Sequence, residues 1–322
     1  MVLAGVPPLS LMRMPRLDIT PDHPHFPSVM KPWIALSLAA ISVGVADAVS
    51  LINLTFSGSM TAIEQQTFVD AANYWNSAIT GYTLIYNGAG QVEPHSLSIT
   101  ASLPYIDGVN GILGSAGPEY VNYYDNNPAG QPTVALYYTT SGSMQFDSAD
   151  AAAMVASNTF YSVVLHEMAH VIGFGTLWTY NTNLNNTTYN LYTDGSGQYY
   201  GPNALAQWQS EFNRPADTFV PVELQGTAGT ANGHWAENYG GAFPTGIVST
   251  LTGMDMSNEL MTGWASNTFF VSHATLGAIA DLGYTVDYNQ AGVINHVVVV
   301  PESSSLSFCL LASCALLRRK RS

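Results

Sequence analysis

Two histidines four residues apart, with a glutamate directly after the first, constrain this chain more than any other feature: His166-Glu167-Met168-Ala169-His170. On a helix, residues four apart share one face, so both imidazoles can meet a single metal ion. Zinc suits neutral imidazole nitrogens and tolerates an open fourth position for water. Glu167 is not needed as a ligand and can instead take a proton from that water. The motif therefore asks for a helix anchored in a core. Phe160, Val163, Val164, Leu165 and Ala169 supply an apolar stripe leading into it. Gly173, three residues beyond His170, can adopt a positive φ and end the helix, so that the chain turns back.

Two imidazoles do not complete a zinc site, and a third ligand has to come from elsewhere. His23 and His25 lie ahead of a signal-like segment, and His296 sits at the edge of a C-terminal tail. His95 falls in a polar turn before a strand-like run, and His273 in the first turn of a late helix. His234 lies in Gly233-His234-Trp235-Ala236-Glu237, ahead of Asn258-Glu259-Leu260-Met261-Thr262-Gly263-Trp264.

The blocks HEMAHVIGFGTLW, GHWAEN, NELMTGW and ATLGAIADLGYTV, in that order, resemble the leishmanolysin-like zinc metalloproteases of the metzincin clan. The resemblance covers roughly residues 50–288 and is strongest after Tyr161. In many metzincins the third histidine follows closely on the glycine, where this chain has Thr176, which is not a zinc ligand. The leishmanolysin pattern instead implies an insertion before the third ligand. It makes His234 that ligand and Met261 the residue of a Met-turn, an apolar floor beneath the metal. It also implies an α+β fold: a mixed, twisted sheet with two long helices in an N-terminal lobe, then an irregular C-terminal lobe with a closing helix. In that clan an edge strand runs antiparallel to bound substrate, and Ser143–Phe146 is the candidate. Leishmanolysin itself is rich in disulfides and has an inhibitory cysteine. Here the two cysteines, Cys309 and Cys314, both lie in the C-terminal apolar run, so the catalytic region has no thiol to cap a zinc.

Local patterns agree with an α+β reading. Leu51–Phe56, Tyr82–Tyr86, Leu97–Leu103 and Val134–Thr139 read as strands, with Leu97, Ile99, Ala101 and Leu103 alternating cleanly. Thr61-Ala62-Ile63-Glu64 is a capping box. The helix it opens carries Phe68, Ala71, Ala72, Trp75, Ala78 and Ile79 at helical spacing, with Gly81 as its stop. Tyr180–Tyr200 reads as loop, residues 203–212 as a short helix, and Ser272–Leu282 as the closing helix with Gly283 past its end.

The chain ends read as addresses. Residues 1–29 read as an upstream extension before the true start at Met30. Residues 30–48 form a signal peptide, with an apolar run Trp33–Val45 and a small-x-small site at Ala46-Asp47-Ala48. Residues 49–296 make the catalytic domain. In the tail, 297–322, Val300-Pro301-Glu302-Ser303 precedes apolar Leu306–Leu317 and basic Arg318–Arg321, a layout that resembles the bacterial PEP-CTERM sorting signal. Such a tail implies a sorting or processing protease as partner, or else a membrane anchor; either keeps the catalytic part outside the cytoplasm.

Charge excludes one class of partner. Between Val49 and Val300 the only basic residue is Arg214. The 22 acidic residues of the whole chain lose Asp18, Asp22, Asp47 and Glu302, leaving 18, hence 17 net negative charges. Such a body does not hold nucleic acid through phosphate contacts. Its carboxylates could hold a structural Ca²⁺. The expectation is an exported or surface-displayed zinc endopeptidase acting on protein or peptide substrates. The alternatives are a zinc hydrolase of non-peptide amides, and a non-catalytic surface or matrix protein with a structural zinc. A structural zinc site needs no base at Glu167 and closes its fourth position with a protein ligand.

Overall fold

Thr61 opens the first helix as its capping box requires: its hydroxyl accepts from the Glu64 N–H while the Glu64 carboxylate accepts from the Thr61 N–H. The computed structural model describes residues 51–296, apart from 83–84, 87–91, 94, 126–134, 181–190, 227–228, 238–243 and 265–267. Residues 30–48, read as a signal peptide, and 297–322, read as a sorting tail, lie outside the described residues. So do His23, His25 and residues 181–190 of the 180–200 stretch.

The described chain runs β1 (Ile52–Ser57), α1 (Ala62–Ala78), β2 (Ile79–Tyr82), β3 (Ile85–Tyr86), β4 (Val92–Glu93), β5 (Leu97–Ser102), β6 (Gly114–Asp125) and β7 (Ala135–Phe146). It continues with α2 (Ser148–Ala156), α3 (Phe160–Ile172), β8 (Gln198–Tyr199), α4 (Pro202–Glu211), β9 (Val220–Pro221), β10 (Phe270–Val271), α5 (His273–Asp281), β11 (Tyr284–Val286) and β12 (Gly292–Val293). None of these helices is long and apolar enough to cross a membrane. The fold is α+β, with a mixed four-stranded sheet in the order β1-β5-β7-β6. β1, β5 and β7 are parallel, and β6 closes one edge antiparallel to β7.

Sheet and helices share one core. Along β5, Leu97, Ile99 and Ala101 are buried while Ser98 and Thr100 are exposed, so one face of that strand carries the packing. Phe68 of α1, Phe146 of β7 and Phe160 of α3 meet edge to face at 5.4–5.6 Å. Gly142 lets α3 come down on the sheet. A Cβ there would stand 2.5 Å from Val171 Cγ1 and 2.6 Å from the Gly117 carbonyl.

After α3 the chain is held mainly by an antiparallel helix pair whose ends cap each other. Glu211, the last residue of α4, accepts from the first N–H of α5, at His273 (2.7 Å). Asp281, the last residue of α5, accepts from the Asn203 and Ala204 amides in the first turn of α4 (2.9 and 3.0 Å). Each carboxylate thus lies at the positive end of the other helix dipole, on amides that lack an intrahelical partner. Burial raises both carboxyls, Asp281 to about 6, against the pull of these hydrogen bonds.

Several expectations need correction. Ile79 and Gly81 belong to strand β2, which pairs with β11, rather than to the end of α1; Ile79 adopts extended backbone and terminates the helix itself. β6 has no counterpart in the sequence reading. Its Gly-Pro-Glu centre reads as turn chemistry, and a register shift at Pro118–Tyr120 accommodates the proline in the strand. Ser143–Phe146 is not an edge, because β7 runs to Phe146 between β5 and β6; the edge that lies antiparallel to its neighbour is β6. Within the segment read as loop, Gln198–Tyr199 forms a short strand with Val220–Pro221. Helix α4 and the closing helix α5 stand where expected, α5 capped by the Ser272 hydroxyl and followed by Gly283 at φ 98°.

Candidate metal centre

Helix α3 is buried along its whole length, which is what fixes the two imidazoles. The Trp75 indole N–H donates to the Leu165 carbonyl (3.0 Å), tying α1 to the residue before His166. The Tyr284 hydroxyl holds the Ile172 carbonyl at the other end (3.2 Å). Gly173 ends the helix at φ 135°, and its absent Cβ leaves room for Leu177 and Leu282. Thr176, set aside above as a ligand, donates from Oγ1 to the His170 carbonyl (2.7 Å).

The returning chain reaches this helix through two glycines. Gly175, at φ 71°, lies so close to Gly233 that a Cβ would stand 2.4 Å from the Gly233 carbonyl oxygen. This backbone contact sets His234, the next residue, opposite His166 and His170. The three Nε2 atoms form a triangle with sides of 2.9, 3.0 and 3.1 Å. Each imidazole is oriented from behind by a backbone carbonyl on Nδ1: Leu260 for His166 (2.7 Å), Phe174 for His170 (2.9 Å) and Thr230 for His234 (2.8 Å). A carbonyl only accepts, so each Nδ1 carries the proton and each Nε2 presents a lone pair. Three lone pairs turned on one another repel unless a cation lies among them. A triangle of this size lets all three reach one ion at zinc's usual bond length of about 2.0–2.1 Å. The residues therefore fit a zinc ion.

Burial supports the same chemistry. It drives the pKa of His166 down to about 3 and that of His234 to about 4, and that of His170 well below the usual value. Neighbouring imidazoles lower His166 and His170 further. All three are thus held neutral and ready to ligate near neutral pH. Glu167 is fully buried on the same helix. Met261 is also fully buried. Its carbonyl accepts from the Trp235 amide next to His234 (3.0 Å), while the preceding carbonyl, of Leu260, holds His166. Trp235 packs against Phe174, Trp178 and Tyr199, an aromatic cluster that fixes the insertion behind His234.

The other described histidines stand apart from this group. The ring of His95 lies among Tyr82, Tyr138 and Tyr284, where burial lowers its pKa to about 4. His273 sits 3.4 Å from Glu211 at the start of α5. His296 stacks on Tyr161 at 3.6 Å and bonds Asp70. Among the described residues, the three converging histidines are the only group of three or more ionisable side chains close enough to share an ion, so a calcium site gains no support. Sequence reasoning missed the three orienting carbonyls, which carry no side-chain signature. It also missed Gly175, whose spacing two residues after Gly173 was a usable signal.

A comparison with curated proteins gives no match. The family model of the leishmanolysin peptidases matches residues 137–300, which begin in β7 and take in α3, His234 and the turn at Met261. That match spans half of the chain, and it places the protein in the leishmanolysin family.

Proposed function

We propose that the protein is a zinc-dependent endopeptidase in which His166, His170 and His234 hold the metal and Glu167 is the general base. The convergence of three buried imidazoles, each with Nδ1 committed to a carbonyl, carries this reading. Among the described residues it supplies three ligands and no fourth, the pattern of a catalytic rather than a structural zinc site. Bound zinc would polarise a carbonyl group and make water a nucleophile at neutral pH. The Glu167 carboxylate, one residue from a ligand, takes the proton from the attacking water and passes it to the leaving amine. Met261 forms the apolar floor of the site. The antiparallel edge β6 is the place for an extended peptide to pair, because among the described residues no strand pairs with its outer side. With its signal segment and tail, the protein works outside the cytoplasm on protein or peptide substrates.

The test separates ligand from base. Glu167→Ala should retain zinc yet lose cleavage of a mixed peptide library by about 10²–10⁴-fold, the usual contribution of a general base. His234→Ala should lose zinc, whereas His273→Ala should keep both zinc and activity. A Glu167→Ala variant that cleaves normally would refute the mechanism. Wild-type protein that holds zinc but cleaves no peptide would favour a structural zinc or a different amide substrate.

A further inference from the structure

Glu259 is buried to 1 % exposure, and the proposed zinc chemistry makes no use of it. Its Oε1 accepts from the Ser272 amide (3.0 Å), the Ser272 hydroxyl (2.9 Å) and the Thr275 hydroxyl (2.5 Å). Its Oε2 accepts from the Met261 amide (2.6 Å). One carboxylate thus joins the first turn of α5 to the turn at 259–262. That turn presents two successive carbonyls to the site, Leu260 to the Nδ1 of His166 and Met261 to the amide of Trp235. Trp235 closes a ring: its indole N–H donates to Thr275 Oγ1 (2.9 Å), which in turn donates to Glu259. The turn is also tied through the Leu260 amide to Phe270 (2.9 Å) and closed by the Thr262 amide and hydroxyl on the Glu259 carbonyl (3.3 and 2.9 Å), but none of these holds the Met261 amide.

From this network we infer that Glu259 is a positioning residue for the metal site, acting through the Leu260 carbonyl on His166 and through Trp235 on the backbone beside His234. The inference rests on the reading of the three histidines as zinc ligands. The physical argument concerns direction. An imidazole ligand is oriented by the acceptor on its other nitrogen, and that acceptor holds its aim only if its own peptide is fixed. Here the Leu260–Met261 peptide links that acceptor to the Met261 amide, which Glu259 holds. Two ligands on different segments are therefore referred to one carboxylate. The Glu side chain has the reach and the acceptor-only character that the position needs. In Glu259→Gln one end becomes an amide NH₂, which must face either the Met261 N–H or the Ser272 and Thr275 donors.

The experiment uses the full chain and measures two things besides cleavage: zinc affinity by chelator competition, and the visible spectrum after replacing zinc with cobalt. Glu259→Gln should weaken zinc binding by about 10–100-fold, the usual effect of losing such an outer partner, and should shift the cobalt bands. Glu211→Gln is the matched control, because it removes a buried α4 carboxylate that caps the start of the same helix α5 without touching the 259–262 turn. It should lower the melting temperature and leave affinity and spectrum unchanged. If Glu259→Gln does not fold, Thr275→Val carries the test, since it cuts the link to Trp235 while keeping shape; a several-fold loss of affinity with a shifted spectrum is expected. Wild-type affinity and spectrum in whichever variant folds, or an equal loss in Glu211→Gln, would overturn the inference. Wild-type protein that binds no zinc would instead overturn the reading of the site itself.

Discussion

Gly142→Ala adds one methyl group at the point where α3 meets the sheet. The new Cβ would stand 2.5 Å from Val171 Cγ1 and 2.6 Å from the Gly117 carbonyl oxygen. Non-bonded carbon atoms prefer about 3.5–4.0 Å, so the overlap is about 1 Å on the helix side. The second contact is backbone and cannot rotate away. Overpacking of this kind costs at the upper end of about 1–3 kcal/mol. Alanine recovers about 0.5–1 kcal/mol over glycine in a strand. The net loss is about 2 kcal/mol, which for a domain of about 250 residues lowers the melting temperature by about 4–8 °C. Gly117→Ala is the internal control. Gly117 faces Ser143 on the adjoining strand, and its Cβ would have nothing within 4 Å, so stability should hold or rise. The assay is thermal unfolding of the zinc-loaded and metal-free proteins. Because Val171 follows His170, Gly142→Ala should also weaken zinc binding. A Gly142→Ala variant that melts with the wild type, or a Gly117→Ala variant that falls equally far, would refute the packing argument.

Acid should destabilise the metal-free protein through its ligands. Unfolded imidazoles take a proton near pH 6.5, whereas burial holds His166 down to about 3, His234 to about 4 and His170 also well below. The unfolded state therefore binds more protons, and stability present above pH 6.5 is lost as pH falls toward the folded values. At pH 5.5 the loss is about 1.4 kcal/mol per histidine and about 4 kcal/mol for three. Metal-free wild type should show that extra loss between pH 8 and 5.5 over a variant with all three changed to asparagine; parallel slopes would contradict it. For the chain ends, we propose that the native protein starts near Val49 and ends near Pro301-Glu302. Mass spectrometry of protein from its source would show this, while a chain intact to Ser322 and held in a membrane would point to a plain anchor.

Much of the site was legible in the sequence because it depends on local periodicity. The four-residue spacing of His166 and His170 needs only a helix, and the apolar residues before it ensure that helix is buried. The same holds for the capping box at Thr61 and the closing helix with Ser272 at its head. What the sequence could not decide is pairing at a distance. β6 was illegible because its Gly-Pro-Glu centre looks like a turn, and only the long hydrogen-bonded edge of β7 makes it a strand. Ser143–Phe146 reads as readily for an edge as for an interior strand, since strand order is a matter of which neighbours arrive, not of the residues themselves. His234 could be singled out only by resemblance. Spacing alone does not distinguish it from His273, and what brings it to the others is the backbone contact of Gly175 with Gly233. The carbonyls of Leu260, Phe174 and Thr230 aim the three rings, yet every residue has a carbonyl, so nothing in a sequence marks them. Local spacing determined which histidines could share a helix face; tertiary packing decided which lone pairs converge, because direction is set by backbone groups that only the folded chain brings together.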